Sequence, residues 1–297
     1  MINRDKIRRE NYGYYSKIAY RWAPIHYQHV NLDYRRRDML CAVDYDGDWD
    51  TSNNRKNIVQ YSLIPVVYYG IAETGTHYYI LYSYYHADDL THENDLEGFL
   101  LVVEKKEDRV IAMICLAHFD FRSYIVGNRI KRGEENVDGK LFLEKHNGEE
   151  HPVTKQDPNK HGCYAWKGSP WWMFWEPNDS KDCIGIRYFP SDEAFMPDES
   201  KISSFRKTDY GYVLIDIAGP AGFWDRQPDY PNSTFRDYGA FNSSTLSTAQ
   251  APWGWKDHND GLERGVMFLD PAKLTSRYFR GFKEFDFKYK KVMQKSE

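Results

Sequence analysis

The stretch Thr91-His92-Glu93-Asn94-Asp95-Leu96-Glu97-Gly98 runs directly into Phe99-Leu100-Leu101-Val102-Val103. A short apolar run of this kind reads as a β-strand buried on both faces. Asp95 and Glu97 are two apart, so on a strand they point to the same face. His92 faces the other way unless the chain bends before Asp95, and Thr91 to Asn94 has the composition of such a bend. Two carboxylates and an imidazole converging at a strand mouth are costly to leave unpaired. A divalent cation would resolve the conflict, so the segment is both a strand start and a candidate metal site.

Outward from this strand, Leu96 to Glu104 and Arg109 to Asp120 read as a hairpin joined by Lys105-Lys106-Glu107-Asp108. Pairing Glu104 with Arg109 brings His118 opposite Asp95, at the same end of the sheet as the acidic cluster. There His118 could serve as a ligand, an orienting partner or a proton donor, or simply as a hydrogen-bonded edge histidine. Upstream, Trp22 to Val30 reads as a first strand, and Val66 to Glu73 with Thr76 to His86 as another hairpin. Downstream, strands are expected at Lys140 to Glu144, Cys183 to Phe189 and Tyr210 to Ile217. Asp44 to Asp50 has a calcium-loop look but fails the EF-hand pattern: glycine falls at the fourth position and Arg55 stands where a bidentate Glu belongs. A solvated Asx-type turn fits better.

Of the 297 residues, 16% are aromatic, including 24 Tyr and 9 Trp, and this favours sheet over helix. The class expected is mainly β: a β-sandwich with peripheral helices and long loops. One β-rich domain covers 1–297, with an N-terminal arm at 1–20 and a C-terminal peripheral segment at 277–297. Aromatic ladders across the sandwich account for most of the rings. Trp171-Trp172-Met173-Phe174-Trp175 and Trp253-Gly254-Trp255 are alternatives for contact with sugar or a membrane interface. A net charge of −4 argues against general nucleic-acid binding. No apolar run is long enough to span a bilayer, and no signal peptide is visible in Met1 to Glu10, which leaves the cytoplasm open as a location. Cys115 reads as a buried thiol, whereas Cys163 and Cys183 could bridge a loop, a choice the spacing leaves open.

His92-Glu93-Asn94-Asp95-Leu96-Glu97, preceded by Tyr84-Tyr85-His86-Ala87-Asp88, resembles the Tyr-x-Pro-Lys-Asp…Gly-His-Arg-His-Asp-Trp-Glu signature of the necrosis- and ethylene-inducing-peptide-like proteins. His92, Asp95 and Glu97 fall on its His, Asp and Glu, Asp88 on the upstream acid, and Leu96 replaces the Trp. A broader resemblance, to the vacuolar-sorting-sixty-two type of proteins, is carried by Asp46-Gly47-Asp48-Trp49, His161-Gly162, Gly222-Phe223-Trp224, Ala251 to Trp255 and Asp270-Pro271-Ala272. The resemblance implies a β-sandwich with a divalent cation held by Asp88, His92, Asp95 and Glu97. It also implies secretion, binding of sphingolipid sugar headgroups and membrane damage. The donor set, rich in oxygen, suits Mg²⁺ or Ca²⁺, with Mn²⁺ a third option.

Three functions follow from these residues. The first is metal-dependent binding of a glycan or glycolipid headgroup, with Trp172, Trp175, Trp253 and Trp255 as ring platforms and peripheral contact with a membrane, as in a secreted cytolysin. The second is metal-dependent hydrolysis of a phosphodiester or ester, with His118 or His161 as general acid or base. No nucleophile motif accompanies the site, which weighs against it. The third is a structural or sorting adaptor stabilised by its cation.

Overall fold

The Phe99–Val103 run lies inside a twelve-residue strand in the interior of a thirteen-stranded sheet. The computed structural model describes residues 6–8, 13–128, 130–167, 179–227, 230–281 and 286–296. The sheet contains β1 (Ile25–His29), β2 (Val66–Glu73), β3 (His77–Asp88), β4 (Glu93–Glu104), β5 (Arg109–Ala117), β6 (Asp120–Ile125) and β7 (Gly139–Lys140). It continues with β8 (Leu143–His146), β9 (Glu149–Gln156), β10 (Cys163–Ala165), β11 (Ile184–Pro190), β12 (Ser203–Ser204) and β13 (Asp209–Asp216). Their order is β8–β9–β1–β11–β13–β2–β3–β4–β5–β6–β7, with β10 paired to β9 and β12 to β11. Strands β2 to β6 form an antiparallel meander. Parallel pairing of β13 with β2 joins that meander to the other half.

The expected mainly β architecture is therefore present, built from one sheet that curls until its two halves face each other. Tyr84 of β3 shares a hydrogen bond with Thr154 Oγ1 of β9 (2.7 Å), and His26 of β1 stacks on the Tyr84 ring at 4.0 Å. The tyrosine excess has its explanation here. A buried phenol left without a partner costs about 1–3 kcal/mol, and those of Tyr82, Tyr84 and Tyr212 have partners on other segments. Tyr82 donates to the Ala19 carbonyl (2.6 Å), and Tyr212 donates to that of Pro24 (2.7 Å). Each ring thus fills the core while its hydroxyl ties one half of the sheet to the segment across from it.

Short helices lie outside the sheet: α1 (Tyr14–Arg21), α2 (Asn54–Asn57), α3 (Val266–Leu269) and α4 (Pro271–Tyr278). A Cβ at Gly70 of β2 would meet Phe268 of α3 at 3.2 Å and Met293 at 3.4 Å, so the C-terminal segments cover the second face of the meander. None of the helices described is long and apolar enough to cross a membrane.

The β4–β5 hairpin starts in the expected register, Glu104 opposite Arg109 and Val103 opposite Val110. A bulge then leaves Ile111 unpaired, so Val102 faces Ala112 and Phe99 faces Cys115. β5 also stops at Ala117, short of the expected Asp120, and the chain turns at His118, whose φ is +60°. His118 consequently arrives beside Glu97 rather than Asp95. Asp44 to Asp50 is a run of Asx turns: Asp46 accepts from Asp48 N, Asp48 from Asp50 N, and Asp50 from Ser52 N.

Gly98 marks the closest approach within the meander, because a Cβ there would lie 2.0 Å from the Tyr82 carbonyl oxygen. Gly98→Ala is expected to destabilise the protein by about 3 kcal/mol or more, since rigid backbone must move. Gly47→Ala, in open space at φ +98°, should cost only about 1 kcal/mol from its left-handed backbone. Urea midpoints of the two variants check this, and equal losses would contradict the packing described.

Candidate sugar and cation site at the β3–β4 end

The bend expected before Asp95 is centred on Asn94, which has φ +56° and is fully buried. Asn tolerates this conformation better than most residues, and here its side chain is gripped from all sides. Its Nδ2 donates to the Thr51 and Asn242 carbonyls (3.0 Å each), and its Oδ1 accepts from Tyr85 and Asn54. Beyond the bend, Asp95 pairs across the ladder with His86, and Glu97 with Tyr84. Glu93, before the bend, pairs across the ladder with Asp88, and its carboxylate is held by Ser243 and Ser244, whose hydroxyls donate to it at 2.9 and 2.7 Å.

The four residues expected to share one cation have separate surroundings. Asp88 is removed from the set, because Arg37 (3.2 Å) and Arg55 both pair with its carboxylate. Asp95 accepts from Nδ1 of His161 at 2.9 Å, and the opposite ring nitrogen of His161 lies 3.0 Å from Asp38 Oδ1. Glu97 accepts backbone N–H bonds from His118 (2.8 Å) and Cys163 (2.9 Å), with the His118 ring 3.6 Å away. Much of the charge that pointed to a cation is thus balanced by side chains of the protein itself.

His161 is fully buried, and burial alone would lower its pKa. The hydrogen bonds to Asp38 and Asp95 outweigh that and raise it to about 10. With a carboxylate on each ring nitrogen, both nitrogens donate and the ring is an imidazolium. It stacks on His86 at 3.8 Å. Burial likewise opposes protonation of His118, but the Glu97 carboxylate prevails and lifts its pKa to about 9. Burial pushes the Glu97 carboxyl up to about 7, against the pull of His118. Gly162 makes room for this arrangement, since a Cβ there would lie 2.8 Å from His118 Nε2.

Asp89 is the residue the sequence reading missed, one position from the Asp88 it named. Ligand atoms of Asp89, Asp95 and His161 lie within 4.8 Å of one another. Both nitrogens of His161 are already engaged by Asp38 and Asp95, and beside Asp89 lies a second imidazole, His92. Its Nδ1 lies 3.2 and 3.1 Å from the Glu93 and Asn94 carbonyls, which places the proton there, and its Nε2 is 3.7 Å from Asp89 Oδ1. Among the described residues the group that could hold a cation is therefore Asp89, Asp95 and His161, with His92 beside Asp89 but outside that group.

These groups line a cavity of about 770 Å³, together with Glu97, His118, Phe119 and Trp255. Lys160, Lys256 and Arg264 add positive charge to its lining. Phe119 is 66% exposed and stacks on His258 at 5.1 Å. Trp253 is not available as a platform: it is fully buried among Phe223, Trp224, Phe235 and Phe268. Trp255 reaches the cavity wall but is almost entirely buried, with its Nε1 donating to the Gln250 carbonyl at 2.8 Å. Trp172 and Trp175 lie outside the described residues.

No protein-family model matches the chain, and no curated protein matches it. Similar solved structures include NLPPya in complex with glucosamine, at 13% identity over 49% of this chain and 70% of that one, with a TM-score of 0.29. The necrosis and ethylene inducing protein 2 from the causal agent of cocoa's witches' broom disease is 16% identical over 56% of this chain and 81% of that one, with a TM-score of 0.29. A structure described as a toxin fold for microbial attack and plant defense is 15% identical over 50% of this chain and 77% of that one, with a TM-score of 0.28. Similarity at this level assigns neither a family nor a function.

The site has a signature in pH. The raised pKa of His161 means that its bonds stabilise the fold fully below the unfolded value near 6.5, and that this stability is lost as pH rises toward about 10. His26 and His29, lowered by burial to about 3, act in the other direction: stability falls as pH drops below about 6.5 and the unfolded chain takes up protons. Urea midpoints are expected to peak near pH 6.5 and decline toward pH 10. In His161→Gln that alkaline decline should flatten, with His118 supplying the remainder. A slope identical to that of wild type would contradict the assignment of His161 as an imidazolium.

Proposed function

We propose that the protein binds the sugar headgroup of a glycan or glycolipid in the cavity at the β3–β4 end. The observation that carries this reading is the composition of that one cavity, lined by three carboxylates (Asp89, Asp95, Glu97), the imidazoles of His92 and His118, and the exposed Phe119–His258 ring pair. Sugar hydroxyls need convergent polar acceptors, while the C–H face of a pyranose needs a ring to lie on. In this reading Asp89 and Asp95 hold a divalent cation, Mg²⁺ or Ca²⁺, with His92 beside Asp89, and the cation would coordinate sugar hydroxyls in its open positions. Phe119 takes the platform role first given to the tryptophans. Lys160, Lys256 and Arg264 suit a headgroup that also carries a negative charge. The same reading places the protein outside the producing cell, where such headgroups are displayed.

Calorimetric titration with glucosamine, in Mg²⁺ or Ca²⁺ and again after chelation, tests this. Saturable binding is expected with the cation and weaker binding without it. Losing a ring platform removes about 1–1.5 kcal/mol, so Phe119→Ala should weaken binding by about tenfold while the melting temperature stays within about 2 °C. Undiminished binding in Phe119→Ala and in Asp89→Asn would overturn the placement of the site. No binding under any condition would overturn the glucosamine-type headgroup.

A further inference from the structure

We propose that the side chains of Lys155 and Asp179 condense into an amide cross-link, with Asp157 relaying the protons. Lys155 lies on β9, in register with Tyr27 of β1 on one side and Tyr164 of β10 on the other. Its side chain is fully buried, a place lysine reaches only when its charge is met. Val153, two positions earlier on the same face, packs with Ile25, Tyr27, Trp166 and Phe205. Lys155 Nζ itself lies 5.6 Å from the centre of the Tyr164 ring. Two carboxylates reach the ammonium in this apolar setting, Asp179 Oδ1 at 2.9 Å and Asp157 Oδ1 at 3.8 Å. Asp157 is buried, and the Asp179 side chain is only 14% exposed. Charges removed this far from water are costly to keep, even in pairs. Turning Lys155 and Asp179 into a neutral amide removes two of the three.

A lysine becomes a nucleophile once its ammonium gives up a proton, and an apolar pocket assists that step. Asp157 takes a proton from the Lys155 ammonium and passes it to the Asp179 carboxylate. The Nζ lone pair then attacks Asp179 Cγ, forming the C–N bond. Asp157 takes a second proton from Nζ and delivers it to the departing Asp179 oxygen, and the C–O bond breaks. One water leaves, made of that oxygen and two of the ammonium hydrogens, while the third stays on the amide nitrogen. Asp157 ends as it began, nothing is oxidised or reduced, and no co-reactant is needed. The fixed contact replaces the encounter that makes such a condensation slow in solution. Asp179 is the acyl partner because it lies nearer, which leaves Asp157 to move protons. The bond ties β9 to the approach to β11 and closes a loop that would otherwise be open in the unfolded chain.

The test is the intact mass of the full chain in denaturant, followed by tryptic digestion and peptide mapping. The expected mass is one water below that of the sequence. Lys155 and Asp179 should appear in one branched peptide that trypsin does not cut after Lys155. Asp179→Ala and Asp157→Ala should each keep the full mass of their own sequences. The map of the wild-type protein is decisive even where a variant folds poorly. Three results would overturn the proposal: a wild-type chain at full mass after prolonged incubation at neutral pH, a link from Lys155 to Asp157, or a water loss that maps to an Asp–Gly pair such as Asp46-Gly47. The same link formed to the same extent in Asp157→Ala would overturn the relay.

Discussion

The arrangement depends first on the Asp38–His161–Asp95 bridge. Asp38 comes from the short 3-10 turn Arg35–Asp38, His161 from the loop ahead of β10, and Asp95 from the mouth of β4, so one imidazolium pins three distant segments. Asp38 is anchored further by the backbone N–H groups of Asn31 (2.7 Å) and Asn159 (2.6 Å). Charges this deeply buried persist only when paired and hydrogen-bonded. Breaking such a pair by removing one partner typically costs about 3–5 kcal/mol. The curl of the sheet therefore has an electrostatic latch at the end where the cavity opens.

That latch also determines what the cavity presents. His161 takes up one oxygen of Asp95, and His118 with two backbone N–H groups takes up Glu97. Among the described residues no arginine or lysine side chain pairs with the Asp89 carboxylate, which accepts from the Thr91 N–H and hydroxyl and lies next to His92. The acidic residues are thus partly neutralised yet still anionic, in a cavity also lined by Lys160, Lys256 and Arg264. A lining of both signs with an exposed ring at its edge is better suited to a polyhydroxyl ligand than to an apolar one.

The central strands were legible in the sequence because their burial on both faces leaves continuous apolar and aromatic runs. Val66–Glu73 is found as read, and β4 begins only three residues before the Leu96 that was expected. The bend before Asp95 was legible from Asn and Thr composition. The bulge at Ile111 was not, since it depends on how two strands settle against each other, and it moved His118 from Asp95 to Glu97. Asp88 and Asp89 could not be told apart in the sequence, because the arginines that claim Asp88 sit 51 and 33 positions away. The partnership of Asp38 with His161, 123 positions apart, leaves no local signal either. Tryptophan content pointed to platforms, yet Trp253 fills the core, and Phe119, an exposed ring lining the cavity, sits in a two-residue turn that composition does not single out.

The most direct measurement is nitrogen NMR of the His161 ring in chelated buffer across pH 6 to 10, assigned with His161→Gln. The account predicts that both ring nitrogens stay protonated through neutral pH and lose a proton only as the solution approaches about pH 10. A ring that titrates near 6.5, or one already neutral at pH 7, would contradict it and would return the charge balance at the β4 mouth to a bound cation.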